Sequence, residues 1–139
     1  KFITNENELK KFFFNCYNTL SLNGILLFDF INLNAVKILK PKKKIKVINY
    51  KNMKIIRSTL PSFNASKRKL SIGFKMKIFN KRKKLQEFNE LHKLKLYTFE
   101  KFKNLLSKKF NYINDYSWLK KHKLKNNFWT GLLLFRKKI

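Results

Sequence analysis

The sequence predicts an α/β fold, and three stretches predict it. Over residues 5–20, Leu9, Phe12, Phe13, Cys16, Tyr17 and Leu20 recur at spacings of three and four, one apolar stripe along a helix. Ile25 to Ile31 read Ile-Leu-Leu-Phe-Asp-Phe-Ile, a run apolar on both faces that suggests a central, buried strand. Leu70, Ile72, Phe74, Met76 and Ile78 alternate with Lys69, Ser71, Gly73, Lys75 and Lys77, which is period two with one apolar face and one basic face.

The remaining elements follow in order. Asn5 caps the first helix, with Glu8 three residues on in the capping-box position. Asn23-Gly24 ends that segment, because glycine takes a positive φ cheaply. Pro41 and the lysines around it break the pattern. Residues 45–50 and 53–57 read as strands joined near Lys51-Asn52, Pro61 to Lys69 as a basic loop, and Lys81 to Lys84 as a tight basic turn. A strand is expected around 87–96, with Leu94 and Leu96 inward and Lys93 and Lys95 outward. Thr98 caps a second helix near 99–108 that buries Phe102, Leu105 and Leu106. Glu100 in its first turn and Lys108-Lys109 in its last suit the helix dipole. Phe110 to Trp118 is expected to be a strand with a turn, 119–127 a basic segment and 128–135 the last strand. No repeat and no linker is visible, so residues 1–139 are expected to form one domain with an antiparallel insertion at about 37–90.

Charge narrows the partner. Thirty-four Lys and Arg face seven Asp and Glu, a net charge of +27, on a chain whose 44% hydrophobic and 16% aromatic content is that of a folding sequence. Such a charge repels itself in the compact state, and a polyanion relieves the repulsion while releasing counterions. The basic residues gather at Lys40, Lys42, Lys43, Lys44 and Lys46; at Lys67, Arg68 and Lys69; at Lys81, Arg82, Lys83 and Lys84; at Lys120, Lys121, Lys123 and Lys125; and at Arg136, Lys137 and Lys138. Placed on loops and strand ends, these side chains reach phosphates. Lys far outnumbers Arg and gives point-charge contacts rather than bidentate base readout, which points to sequence-blind binding of an RNA backbone. Phe63, Phe79, Tyr116, Trp118, Phe128 and Trp129 lie beside the clusters, available either to the core or to unpaired bases.

No apolar run reaches the ~18 residues of a membrane span, and the charge is spread along the whole chain, so no membrane partner is expected. The single cysteine, Cys16, excludes a disulfide within the chain and is expected to be a buried structural thiol. The richness in Lys, Asn, Ile and Phe fits an AT-rich genome such as that of an organelle. Because the chain opens at Lys1 rather than Met, it is read as processed or truncated.

Three stretches in this order resemble the C-terminal half of a class I S-adenosylmethionine-dependent methyltransferase. Phe2-Ile3-Thr4 through Glu8-Leu9-Lys10-Lys11-Phe12, then Tyr17 and Asn23 to Phe30, is similar to the family's helix, turn and fifth strand. Glu90 to Thr98 through Leu105-Leu106 looks like the strand and helix before its last hairpin, and Trp129 to Lys137 like its closing strand. The resemblance implies a partial class I methyltransferase-like sheet with an inserted antiparallel β segment. The family holds its cofactor with a glycine-rich turn, whereas this chain has only Gly24, Gly73 and Gly131 and no G-x-G. No cofactor is therefore expected on this chain alone. The resulting expectation is a structural rRNA-binding component of an organellar, mitochondrial ribosome built on a degenerate methyltransferase fold. The alternative is the C-terminal part of an active RNA methyltransferase, and a third reading is an unrelated nucleic-acid-binding module. Strand 25–31 is expected to form an open edge, met by rRNA, by a neighbouring ribosomal protein or by a missing N-terminal half.

No catalytic or metal-binding residues are predicted. His92, between Glu90 and Lys93, matches a histidine near the substrate side in the resembling family, and otherwise reads as structural or surface. His122 among its lysines reads as a phosphate-side contact or plain surface. Asp29, inside an apolar strand, reads as a buried carboxylate needing a partner, and Glu6 and Glu8 read as helix-start residues. Two histidines and one cysteine at these separations give no metal site.

Overall fold

The computed structural model describes residues 3–81 and 83–139; Lys1, Phe2 and Arg82, the last a predicted RNA contact, lie outside the described residues. The chain divides into two compact units, one formed by Ile3–Leu39 with Lys95–Ile139, the other by Lys40–Leu94.

In the first unit, helix α1 (Glu6–Thr19) begins where predicted, with the Asn5 side chain accepting from Glu8 N at 2.9 Å. The Glu8 carboxylate reaches one residue beyond the capping box, to Thr4 N at 3.1 Å. Strands β1 (Ile25–Ile31), β6 (Phe110–Ser117) and β7 (Thr130–Lys137) form an antiparallel sheet in the order β1-β7-β6, with a register shift between Tyr112 and Asn114. Helix α3 (Phe99–Leu106) and α1 cover one face of it. Leu9 and Phe13 of α1, Phe102 and Leu106 of α3, Leu26 and Phe30 of β1, Phe110 of β6 and Leu133 and Phe135 of β7 share one core. Cys16 packs against this core half-buried, and the burial pushes its thiol pKa up.

β1 departs from the buried-strand expectation. Only Leu26 and Phe30 are buried, Phe28 is half-buried, and Ile25, Leu27 and Asp29 face out, with Leu27 56% exposed. Asp29 is therefore an exposed carboxylate rather than a buried one. β1 has one ladder partner among the described residues, β7, so it is the open edge that was expected. A glycine matters where that pair closes: a Cβ on Gly131 would lie 2.6 Å from the ring of Phe30, its cross-strand partner. In the turn before β1 the roles differ from the prediction. Asn23 takes the positive φ (60°), while Gly24 is needed because a Cβ there would meet Ser21 O at 2.8 Å.

A third helix, α2 (Leu33–Leu39), was not predicted. Asn32 starts it, its side chain accepting from Asn34 N at 3.1 Å and its carbonyl from Val36 N at 3.1 Å. Lys40 leaves it at φ 46°, and Pro41 cannot continue it.

The second unit is an antiparallel meander, β2 (Lys44–Tyr50), β3 (Met53–Asn64), β4 (Lys69–Asn80) and β5 (Lys83–Lys95). The predicted loop from Pro61 to Lys69 shrinks to residues 65–68, because β3 runs on to Asn64. β2 begins at Lys44, opposite Thr59, so Pro61 lies beyond the β2 pairing where β3 is an edge, the place in a sheet where a missing N–H is tolerated. Glu87 of β5 bonds Lys75 of β4 at 2.7 Å and Lys84 at 3.3 Å, and these ammonium groups hold its carboxyl down from 4.5 to about 2. Its contribution to stability is thus complete above pH 4.5 and disappears as pH falls through about 2. In urea titrations, Glu87→Gln is expected to be less stable than the wild type at pH 6, and the gap should close between pH 4.5 and 2.

Candidate nucleic-acid interface

Each end of the meander carries a group of basic residues. The β2–β3 and β4–β5 turns lie side by side, with Lys81 N bonding Asn52 O at 3.1 Å, which gathers Lys51, Lys54, Lys81 and Lys83 at one end. The β3–β4 turn carries Lys67, Arg68 and Lys69 at the other, and Lys40, Lys42, Lys43, Lys44 and Lys46 lead into β2 on that half of the sheet. All but Arg68 are exposed. Lys51 and Lys54 were missed by the sequence reading, which counted dense runs and not what a hairpin brings together.

The turns are built unusually. Lys51, Arg68 and Lys81 sit at φ 51°, 51° and 52°, a region that glycine and asparagine occupy at lower cost. A left-handed L-residue costs about 1 kcal/mol, so each turn holds a basic side chain where local stability favours glycine. Such a trade is expected where the side chain has a function. Arg68→Gly is expected to raise stability by about 0.5–1 kcal/mol in chemical denaturation while lowering affinity for RNA. Loss of stability would show that the arginine is there for the fold.

In the first unit the segment between β6 and β7 is pinned from beneath. Asp115, buried at 6% exposure, accepts from Leu124 N at 2.8 Å and from the hydroxyl of Tyr112, with Lys123 Nζ 3.9 Å away. Burial and that carboxylate raise the Tyr112 pKa, keeping the phenol protonated as donor. Ser117, fully buried, donates to Lys123 O and accepts from Lys125 N, both at 3.3 Å, and Asn32 reaches Phe128 O at 3.4 Å. The result is a fixed loop whose Lys120, Lys121, Lys123 and Lys125 are exposed. Lys123 is partly engaged, bonding Asn114. His122 is held by Lys123 O at 2.9 Å and by the edge of Phe128. Of the flanking aromatics, Trp118 is exposed (44%), while Phe63, Phe79, Tyr116, Phe128 and Trp129 are half-buried.

At the other end of this sheet, the last cluster is largely structural. Lys137 Nζ caps the C-terminus of α1 through Leu20 O at 2.7 Å, and Lys138 Nζ bonds Ser107 O, just past α3, at 2.6 Å. Arg136 is exposed. Nearby, Lys10, Lys11, Lys108 and Lys109 rim a groove of about 390 Å³ floored by Phe13, Phe14, Leu105, Leu106 and Phe110, with Lys109 Nζ over the rings of Phe14 and Tyr17. The helix-dipole reading of Lys108-Lys109 hid this convergence. Glu6, lowered in pKa by its bond to Lys101 at 2.9 Å, ties α1 to α3.

Comparison with known proteins agrees on architecture. No family model and no curated sequence matches the chain. Among solved structures, a S-adenosylmethionine-dependent methyltransferase from Clostridium acetobutylicum superposes with TM-score 0.79 at 16% identity, over 99% of this chain and 54% of that one. The CcbJ methyltransferase from Streptomyces caelestis gives 0.70 at 6% identity, over 98% and 52%. The sugar N-methyltransferase KedS8 from a Streptoalloteichus species gives 0.68 at 11%, over 96% and 50%. The chain thus has a methyltransferase-like α/β fold, as the sequence predicted, and spans about half the length of these structures.

Of the three glycines, Gly24 packs against its own turn and Gly131 against Phe30, while Gly73 has only ordinary contact with Leu60. Among the described residues no three His, Cys, Asp or Glu side chains converge as a metal site needs. Among the described residues no helix is long and apolar enough to cross a membrane.

Proposed function

We propose that this chain is a structural RNA-binding protein, seated in a large ribonucleoprotein, and that the particle is the ribosome of a mitochondrion or similar AT-rich organelle. The observation that carries the reading is the net charge of +27 on a folded chain, part of it gathered as exposed lysines on turns and loops such as Lys51, Lys67, Lys120 and Lys121. Point charges at fixed loop tips suit folded RNA, whose backbone is bound by shape and phosphate position. In this reading the chain corresponds to the C-terminal half of a methyltransferase fold retained as scaffold. The β1 edge with Ile25 and Leu27 is then covered by rRNA, a neighbouring ribosomal protein or an N-terminal half.

A second reading, compatible with the methyltransferase-like fold, is the C-terminal part of a working RNA methyltransferase completed by another segment or chain. In that reading the glycine-rich cofactor turn, which this sequence lacks, belongs to the other segment or chain. Parallel equilibrium measurements separate the two: filter binding of structured RNA, and dialysis against tritiated S-adenosylmethionine. RNA retention without saturable uptake of the cofactor is expected; saturable uptake would establish the methyltransferase reading instead.

A further inference from the structure

One face of the meander carries a cleft that lysine clusters do not explain. Arg57 of β3, Phe74 and Met76 of β4, and Phe88, Glu90 and His92 of β5 line about 420 Å³, a size that takes a small planar ligand. Cross-strand register puts Arg57 opposite Met76 on one side and Lys46 on the other, and alternation places Phe74, Met76, Lys44 and Lys46 on the same face. The floor is organised. The Arg57 guanidinium lies 5.4 Å from the centre of the Phe74 ring, and His92 meets that ring edge-on at 4.9 Å. Phe88, beside them, shows 48% of its surface. Glu90 Oε2 lies 3.2 Å from His92 Nε2.

Resting on the reading that this protein binds RNA, we infer that the cleft receives one unpaired nucleobase. Phe88 offers a ring to stack on, and Arg57 with Lys46 and Lys44 supplies cations for the flanking phosphates. Glu90 decides against a phosphate in the cleft itself, since a carboxylate repels it. A carboxylate accepts instead from the exocyclic amino group of a base. Cytosine therefore suits the cleft and uracil, which lacks that group, does not. A duplex cannot enter, because its bases are stacked and paired.

The test compares three RNA probes at pH 7.5: ten-nucleotide oligocytidine, ten-nucleotide oligouridine, and a ten-base-pair duplex. The wild type is expected to hold oligocytidine several-fold tighter than oligouridine. Phe88→Ala should weaken oligocytidine about tenfold, Phe88→Tyr should restore it, and neither should change duplex binding. Glu90→Ala should remove the preference for cytosine. Phe88 is half exposed, and circular dichroism verifies that each variant is folded. A folded Phe88→Ala variant that binds oligocytidine as the wild type does overturns the base site while duplex binding leaves the RNA reading intact. Failure of the wild type to bind any of the three probes overturns both.

Discussion

Phe102→Ala is expected to lower the stability of the fold by about 3–5 kcal/mol, a large part of the 5–15 kcal/mol that typically separates folded from unfolded chains. Phe102 is 4% exposed and sits where the first unit's elements meet. Its ring lies 4.9 Å from Phe30 and 5.3 Å from Phe28 of β1, 5.6 Å from Tyr97, and 6.2 Å from Phe13 of α1, mostly edge to face. Truncation removes four ring contacts together and leaves a cavity that rigid rings cannot close. Chemical denaturation followed by tryptophan fluorescence measures the loss. Phe12, 43% exposed on the same helix as Phe13, provides the control, and Phe12→Ala should cost under about 1 kcal/mol.

The second large effect is on binding. Converting Lys120, Lys121 and Lys125 together to Gln is expected to reduce RNA affinity about 10- to 100-fold at ~0.15 M salt and to flatten the salt slope by about 2–3. These three are exposed on a loop already fixed by Asp115, Ser117 and Asn32, so their removal leaves the fold alone. Lys123 is left out because its ammonium already bonds Asn114. Lys137→Gln should behave in the opposite way. It removes the cap on Leu20 O, so about 1–2 kcal/mol of stability is lost with little change in RNA affinity. Fluorescence anisotropy and denaturant midpoints on the same two variants separate the roles.

Much of this was legible in the sequence because periodicity is set by local geometry. Helix α1, strand β4 and the caps at Asn5 and Thr98 lie where they were read, although Phe12 of the α1 stripe is exposed and only Leu70 of the apolar set on β4 is buried. What was misread depended on partners. The apolar run at 25–31 looks buried on both faces, yet Ile25 and Leu27 face outward, since nothing described here covers that side of the sheet. Helix α2 is seven residues long, too short to display a period of 3.6. Pro61 signalled a loop because composition does not show that β2 stops short of it. The lysine clusters were legible as charge, but only the fold tells a lysine aimed at solvent, such as Lys120, from one aimed at a helix end, such as Lys137. The Arg57–Phe74–His92 cleft gave no local signal, since its residues come from three strands.

The central claim, that the charge on this fold is organised to bind an RNA backbone, is tested most directly by the salt dependence of RNA binding. A fluorescent RNA hairpin is titrated with the chain at several salt concentrations from about 50 to 400 mM. The predicted result is a straight line of log affinity against log salt with a slope steeper than about −4, the signature of five or more phosphate contacts. No binding at the lowest salt, or an affinity that barely responds to salt, would contradict it.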